Sequence, residues 1–470
     1  MGQQTNVVFS AIKGIFGALG EVMFPTIDDY TYKAKFTNPR ELLRSRNTGF
    51  SVGVDQNLND EMSFRHMIVT APSGGGKSSK VCIPSLINLH GKGSVVINDC
   101  NKELYPKLGH LYSDTKTIII DFSDKSCNQT FGWNPMPHDE ADLPNFMTRI
   151  SNLVHGKSHE QFWSIQSAEV LTSLGEVLYR FDEKYRTPCN LLHLLNYLMG
   201  KEAVFNKFMA KYATQKTWME YLAFAKNSDN TKRSILSSAK ATLAVFRQDH
   251  IQRITSHSSF DMNDIRHKPV AIFLQTSPAD LDKYKLLISE FFNQLFAHLL
   301  SNLPKEKDLP VYMVIDEAGV VKIDLLSTAV VQLRKFKAGC LICCQSDEQL
   351  HQLYGKEHAS TIISNCSRLI MTNAPLATAK EVSELSGKVE YEDEKGRTRV
   401  RELIAIDEVR SLEEDEGILF ASHLRPIKLR MKPYYKDSRM KEITSMEAPM
   451  LKSDLSNDAI PILNIEALSN

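Results

Sequence analysis

The sequence predicts an α/β protein built on a mostly parallel sheet, with an all-helical domain inserted into it. Three observations carry that expectation. Short apolar runs such as "SVVIND" (94–99) and "TIIIDF" (117–122) alternate with helical patterns, as strands buried on both faces of a parallel sheet do. From about 140 to 260 the strand signals vanish and a 3.6-residue period takes over. Beyond 260 the strand signals return.

Taken in order, the chain opens on "VVFSAIKGIFGALGEVMF" (7–24). Drawn as a helix, it sets Ser10, Lys13, Gly14, Gly17 and Glu21 on one side and Phe9, Ile12, Phe16, Leu19 and Met23 on another. Eighteen residues broken by two charges span a bilayer poorly. Residues 1–25 are therefore expected to lie at a membrane interface or dock on a partner, with a simple core helix as the open alternative. Residues 26–140 carry the first half of the sheet, beginning at "HMIVTA". Residues 141–260 are the helical insertion, with "FWSIQSAEVLTSLGEVLYRF" and "TKRSILSSAKATLAVFRQ" as its clearest periodic stretches. Residues 261–440 resume the sheet through "PVAIFLQT", "PVYMVID", "GCLICCQ" and "SRLIMTN", then short strands and turns from 387 to 435. Residues 441–470 are polar and aperiodic and read as a flexible tail.

Composition narrows the chemistry. The 56 basic residues balance 56 acidic ones, so no global positive field marks a nucleic-acid binder, and any such contact must come from local patches or assembly. Eight cysteines in 470 residues do not make a disulfide scaffold. Cys340-Leu-Ile-Cys343-Cys344 has CxxC spacing but lies in an apolar run without a second ligand pair, so it reads as buried thiols in a strand. No signal peptide is visible, and a reducing cytoplasm fits the thiols.

The chemistry-bearing stretch is Ala71-Pro72-Ser73-Gly74-Gly75-Gly76-Lys77-Ser78, with Ser79 following. It departs from G-x-x-x-x-G-K-[ST] at its first position only. A strand precedes it and a helix-compatible stretch follows, which is the context a phosphate cradle needs: successive N–H groups converge on phosphate oxygens and the helix N-terminus adds partial positive charge. Pro72 through Ser79 would line a nucleotide, Lys77 would reach its β- and γ-phosphates, and Ser78 would offer an oxygen to Mg²⁺. A surface loop is the plain alternative. Some 240 residues on, "VYMVIDEAG" places Asp316 and Glu317 at the end of an apolar strand. Carboxylates there are costly unless they serve a metal or a base. Asp316 is thus the expected Mg²⁺ ligand, and Glu317 the group that orients or deprotonates water.

From about 65 to 435 the chain resembles the type IV secretion coupling proteins of the TraG/TraD kind, relatives of RecA-like and FtsK-like P-loop motors. The resemblance rests on "APSGGGKSS", "GSVVINDCNKELY", "FGWNPM", "FDMNDIRHKPVAIFLQTSPADL" and "CQSDEQLHQLYGKEHASTIISNCSRLIMTN" after "LRKFKAG", and on the closing "LIAIDEVRSL" and "LRPIKLRMKPYY". It implies a RecA-like P-loop fold, ATP and Mg²⁺ as ligands, and a homo-oligomer, a hexamer. It also implies partners: single- or double-stranded DNA, relaxase or effector proteins, and channel components at the bacterial inner membrane. Gln345 matches the family's glutamine that senses the γ-phosphate, with a turn-capping amide as the alternative. Arg334 matches a position suspected of reaching a neighbouring subunit's nucleotide; a solvated helix-end arginine is equally open. The loop segments around Lys226–Lys232 and around Lys322 are pore candidates, each against a reading as solvated surface. A pilus-assembly ATPase, or a nucleotide-gated adaptor with little hydrolysis, are the competing functions. Relatives usually carry two transmembrane helices before the P-loop domain, whereas about 65 residues precede it here, so the expectation is a peripheral protein of the inner membrane.

Overall fold

A computed structural model describes residues 32–156, 161–421, 424–456 and 458–469, so the apolar segment 7–24 lies outside the described residues. Nine strands form one sheet in the order β11-β10-β7-β1-β6-β5-β2-β4-β3. They are β1 (Met67–Thr70), β2 (Ser94–Asp99), β3 (Lys116–Asp121), β4 (Val270–Gln275), β5 (Val311–Ile315), β6 (Ala338–Cys344), β7 (Ser367–Met371), β10 (Glu416–Phe420) and β11 (Ile427–Arg430). The first seven pair in parallel, and β10 and β11 extend one edge antiparallel. A separate hairpin joins β8 (Lys388–Glu392) to β9 (Thr398–Glu402).

The strands are apolar throughout because both faces are covered. Along β2, Val95 and Ile97 point into one core while Val96 points into the other, the two-residue period of a strand. The helices Ile83–Leu89 and Leu104–Leu108 cover the first face. The long helix Leu281–Ser301 covers the second, where Phe291 meets Trp133 at 5.1 Å between ring centroids. Its ridge of Leu287, Phe291, Leu295 and Leu299 recurs at helical spacing, which is why one helix seals so much of the sheet.

Between β3 and β4 the chain is helical, from helix Leu143–His155 to helix Asp249–Ile254, the stretch expected as an insertion. Its two connecting segments are zipped together at the base. Trp133 N–H donates to Ile254 O at 2.8 Å, Ser259 N–H donates to Gly132 O at 3.0 Å, and Gly132 N–H donates to Ser259 Oγ at 2.7 Å. Gly132 is needed there, since a Cβ would come within 2.7 Å of His257 O. Above the base, Arg149 of the insertion clasps Glu290 of the sheet-covering helix, with Nε to Oε2 at 2.9 Å. Glu290 is fully buried, and burial pushes its carboxyl above the usual range against the pull of Arg149.

The C-terminal segment differs from the expected flexible tail. After the helix Ser438–Ser445 it runs as a strap from the sheet to the insertion and ends in the helix Ile465–Ser469. Tyr105 Oη donates to Pro449 O at 2.6 Å, and Ser453 Oγ to Thr130 O at 2.6 Å. At the far end, Asn190 exchanges hydrogen bonds with Pro461 O and Leu463 N–H at 2.9 Å each. Leu455, Leu463 and Ile465 are buried. Apolar anchors this widely spaced carry no periodicity, so a window-based reading passes over them. No helix among the described residues is long and apolar enough to cross a membrane.

Candidate active site

Sheet order explains how motifs 240 residues apart meet. β6 lies between β1 and β5, with Thr70 opposite Cys344 and Ile315 opposite Ile342. The residues that follow, Ala71, Gln345 and Asp316, therefore leave the same carboxyl edge across two strand spacings, about 10 Å. Parallel α/β sheets open their ligand crevice at that edge.

The loop after β1 is shaped by two glycines with left-handed backbones, Gly74 at φ +75° and Gly76 at φ +91°. Residues with a Cβ rarely adopt those angles. Ala71 is not among the residues with positive φ, so the first position of the motif does not demand glycine. It is buried, and a Cβ on Gly75 would stand 3.0 Å from Ala71 Cβ. The missing side chain at Gly75 makes room for the one gained at Ala71. Lys77 is buried and donates from Nζ to Ala71 O at 2.9 Å and Pro72 O at 3.3 Å, holding the loop closed on itself. Ser79 Oγ donates to Gly76 O at 3.3 Å. Ser78 opens a π-helical turn, Ser78–Cys82, that continues into the helix Ile83–Leu89, so the helix N-terminus faces the loop. Ser73 and Gly74 are exposed at the loop's tip.

Asp316 leaves β5 into the crevice and is buried, and its Oδ1 has no hydrogen-bond partner. Burial, then the neighbouring Glu317, raises its carboxyl from 3.8 to about 7, while Lys77 pulls the other way. Glu317 sits at φ +56°, a strained conformation for a residue with a long side chain, as recurs at working sites. The strain turns its carboxylate toward Gln345, whose Nε2 donates to Glu317 Oε2 at 3.3 Å. Gln345 is itself fixed by its backbone N–H, which donates to Gln349 Oε1 at 3.0 Å. Gly319 permits that, because a Cβ there would come 2.4 Å from Gln349 Oε1.

Several contributors were not singled out from the sequence. Asn98, at the end of β2, donates from Nδ2 to Asp316 O at 3.2 Å and steadies the turn. Asp99 is spent on structure: its carboxylate accepts from Glu103, Leu104 and Tyr105 N–H at 2.9–3.1 Å, capping the next helix. The polar ending of "SVVIND" was the available signal. Lys80 is held by Gly75 O at 3.2 Å and by Glu414 O, and burial lowers its ammonium from the ordinary value. Lys80, Asn373, Asp415, Tyr435 and Lys436 wall a cavity of about 240 Å³ on the outer side of the loop. Nothing local in "MTNAP" or "KPYYK" announces that role.

Arg334 is not brought to this edge. It lies in the turn Leu333–Phe336 before β6, at the opposite end of the strand from Gln345, roughly 20 Å away along seven residues. There it is half exposed and pairs with Glu61 at 3.1 Å. Lys232 and Lys322 are engaged in ion pairs with Asp229 and Asp324 at 3.1 and 3.0 Å.

The donor set suits a nucleoside triphosphate with Mg²⁺. Left-handed glycines shape a loop ending at a helix N-terminus, a lysine waits on weak carbonyl partners, and a buried carboxylate oxygen has no partner. The chain is 25% identical over 433 residues to Protein VirD4 of Rhizobium radiobacter, covering 84% of this chain and 62% of that protein. It is 24% identical over 363 residues to the conjugal transfer protein TraG of Escherichia coli, covering 68% of this chain and 55% of that one. The chain thus spans about three-fifths of the length of these curated relatives. Among solved structures, the bacterial conjugative coupling protein TrwBdeltaN70 superposes with a TM-score of 0.67 at 18% identity, covering 85% of this chain and 94% of that one. TrwB in complex with ADP and Mg²⁺ gives 0.66 at 19% identity, covering 85% and 95%. These likenesses show a shared fold, the RecA-like P-loop architecture expected from the sequence. The model of the family described as type IV secretory system conjugative DNA transfer matches residues 27–457, so the chain belongs to that family.

Proposed function

We propose that this chain is an ATP-hydrolysing coupling protein that recruits a DNA–protein or protein substrate and moves it toward a secretion or conjugation channel. The observation that carries the reading is the gathering of Lys77, Asp316, Glu317 and Gln345 at one sheet edge. Bound Mg²⁺ supplies positive charge against the charge that develops on the transferred phosphoryl group. Ser78 and Asp316 would hold that ion. Lys77 exchanges the Ala71 and Pro72 carbonyls for phosphate oxygens. Glu317 accepts the proton of the attacking water, and Gln345 ties the position of that carboxylate to the γ-phosphate.

Arg334 cannot serve its own chain's site, given its place at the far end of β6. In a ring, a hexamer as in the family resemblance, it would serve the neighbour's, and hydrolysis would then require assembly. The helical insertion, joined to the sheet by the Arg149–Glu290 pair and by the strap, would face the cytoplasm and receive cargo. Peripheral attachment at the inner membrane, through residues 7–24 or a membrane partner, belongs to the same proposal. It is tested by fractionation, where resistance to both salt and alkaline washes overturns it.

The deciding experiment measures ATP turnover against protein concentration, with and without single- and double-stranded DNA. Cooperative, DNA-stimulated turnover is expected. A flat low rate under all conditions points instead to a nucleotide-gated adaptor.

A further inference from the structure

We propose that Cys82, Cys343 and Asp316 form a second cation site, for a thiophilic divalent ion of the zinc class, which shares its carboxylate with the hydrolytic centre. Its inhibitory consequence rests on the reading of that centre as an ATPase; the binding itself does not.

The two sulfurs are 3.5 Å apart, and both cysteines are fully buried. Each sulfur and a carboxylate oxygen of Asp316 lie within 4.8 Å of one another. Around a tetrahedral zinc ion with Zn–S near 2.3 Å, neighbouring ligand atoms are about 3.8 Å apart, close to the separation of the two sulfurs here, with the carboxylate oxygen within reach of both. The unpartnered Oδ1 of Asp316 adds to this, since a buried carboxylate oxygen without a donor is the group a cation satisfies, whether that cation is the magnesium ion or this one.

The site does not arise from the CxxC spacing. Cys340 and Cys343 are three apart on a strand and face opposite cores: Cys340 and Cys344 pack on the side of the helix Leu281–Ser301, Cys343 on the side of the phosphate-loop helix. What Cys343 meets is Cys82, in the first turn after the loop.

Ligand softness separates this site from the magnesium site. Mg²⁺ takes hard oxygens and avoids thiolates, whereas zinc and cadmium favour them. Binding one ion releases both thiol protons, and the proton Asp316 carries below about pH 7, to solvent with no change of oxidation state. Two thiolates and a carboxylate offset the ion's charge together with that of nearby Lys77, which acts electrostatically on both Asp316 and Cys343. An ion held there keeps Asp316 from Mg²⁺ and ties β6, hence Gln345, to the helix behind the loop. The cradle from Gly74 to Ser78 is left intact, so nucleotide still binds while hydrolysis stops.

The test uses the full, reduced chain in excess Mg²⁺, titrated with cadmium chloride and followed by thiolate-to-cadmium charge-transfer absorption. Wild type is expected to bind a single tight equivalent, Cys82→Ala and Cys343→Ala to lose it, and Cys340→Ala to keep it. Asp316→Asn is expected to weaken binding by at least about tenfold. A band absent from wild type, or unchanged in both cysteine variants, overturns the site. In parallel, zinc chloride should cut wild-type ATP turnover at least about tenfold, reversibly on chelation, and leave Cys343→Ala within about twofold. Equal inhibition of the two overturns the shared-carboxylate step. If the chain hydrolyses no ATP, the ATPase reading fails, and the cadmium band still decides the site.

Discussion

Gln345 Nε2 donates to Glu317 Oε2 at 3.3 Å, joining the strand between the two nucleotide motifs to the carboxylate that would work on water. Glu317 holds a strained backbone at φ +56° to make that contact. Removing the amide should therefore free the carboxylate without touching the phosphate cradle. Gln345→Ala is expected to lower kcat by about tenfold, near 1.4 kcal/mol, with nucleotide Kd changed by less than about threefold. Steady-state turnover combined with equilibrium binding of a fluorescent ATP analogue checks it; a loss confined to Kd contradicts it.

Asp316 gives a pH signature. Its carboxyl is raised from 3.8 to about 7, chiefly by burial and then by Glu317. Between those two values the folded, nucleotide-free chain thus holds a proton there that the unfolded chain has shed. That contribution to stability is fully present below the unfolded value and is lost as pH rises through about 7, some 4 kcal/mol across the interval. Mg²⁺ must displace the same proton, so MgATP affinity should rise from pH 6 to pH 8. Asp316→Asn is expected to flatten both trends, in thermal melts and in binding titrations.

The altered first position of the phosphate loop should be nearly silent. Ala71 has an ordinary backbone and packs against the space left by Gly75, so Ala71→Gly is expected to change nucleotide affinity by less than about threefold. Gly76→Ala should cost more than about tenfold, because φ +91° opposes a Cβ and the added atom would meet Lys80 at 2.8–3.2 Å. Binding of the same fluorescent analogue separates the two. A large effect of Ala71→Gly would show that the first position does more than pack.

The brace between sheet and insertion tests the inner architecture. Arg149→Met leaves the buried Glu290 carboxylate without its ion-pair partner, with neutral amides such as Gln294 at 3.2 Å in its place. A loss of about 3–5 kcal/mol is expected in denaturant unfolding. Arg149→Met with Glu290→Leu should recover most of it, since the cost lies in the unpaired charge.

Much of this was legible in the residues, and the rest was hidden for identifiable reasons. Strands with both faces buried declare themselves as apolar runs, so "SVVIND" and "VYMVID" marked β2 and β5 closely. Lys77 stood out through the glycine-rich loop between a strand and a helix, and Asp316 and Glu317 because carboxylates are costly at the end of a buried strand unless used. Three features depended on pairings across the sheet that no window contains. Lys80 reaches Glu414, 334 residues away. Cys343 meets Cys82 rather than its neighbour in the CxxC, and the strap finds Asn190 through isolated apolar anchors. Arg334 was visible as a residue, but only the length of β6 shows that it lies away from its own chain's phosphate loop.

The central claim is that Glu317 performs the proton transfer of ATP hydrolysis at this edge, and the direct measurement is steady-state turnover of Glu317→Gln beside its nucleotide Kd. The expected result is a fall in kcat of at least about 100-fold with Kd within about threefold of wild type, since the amide keeps the shape and removes the base. Turnover equal to wild type would contradict it.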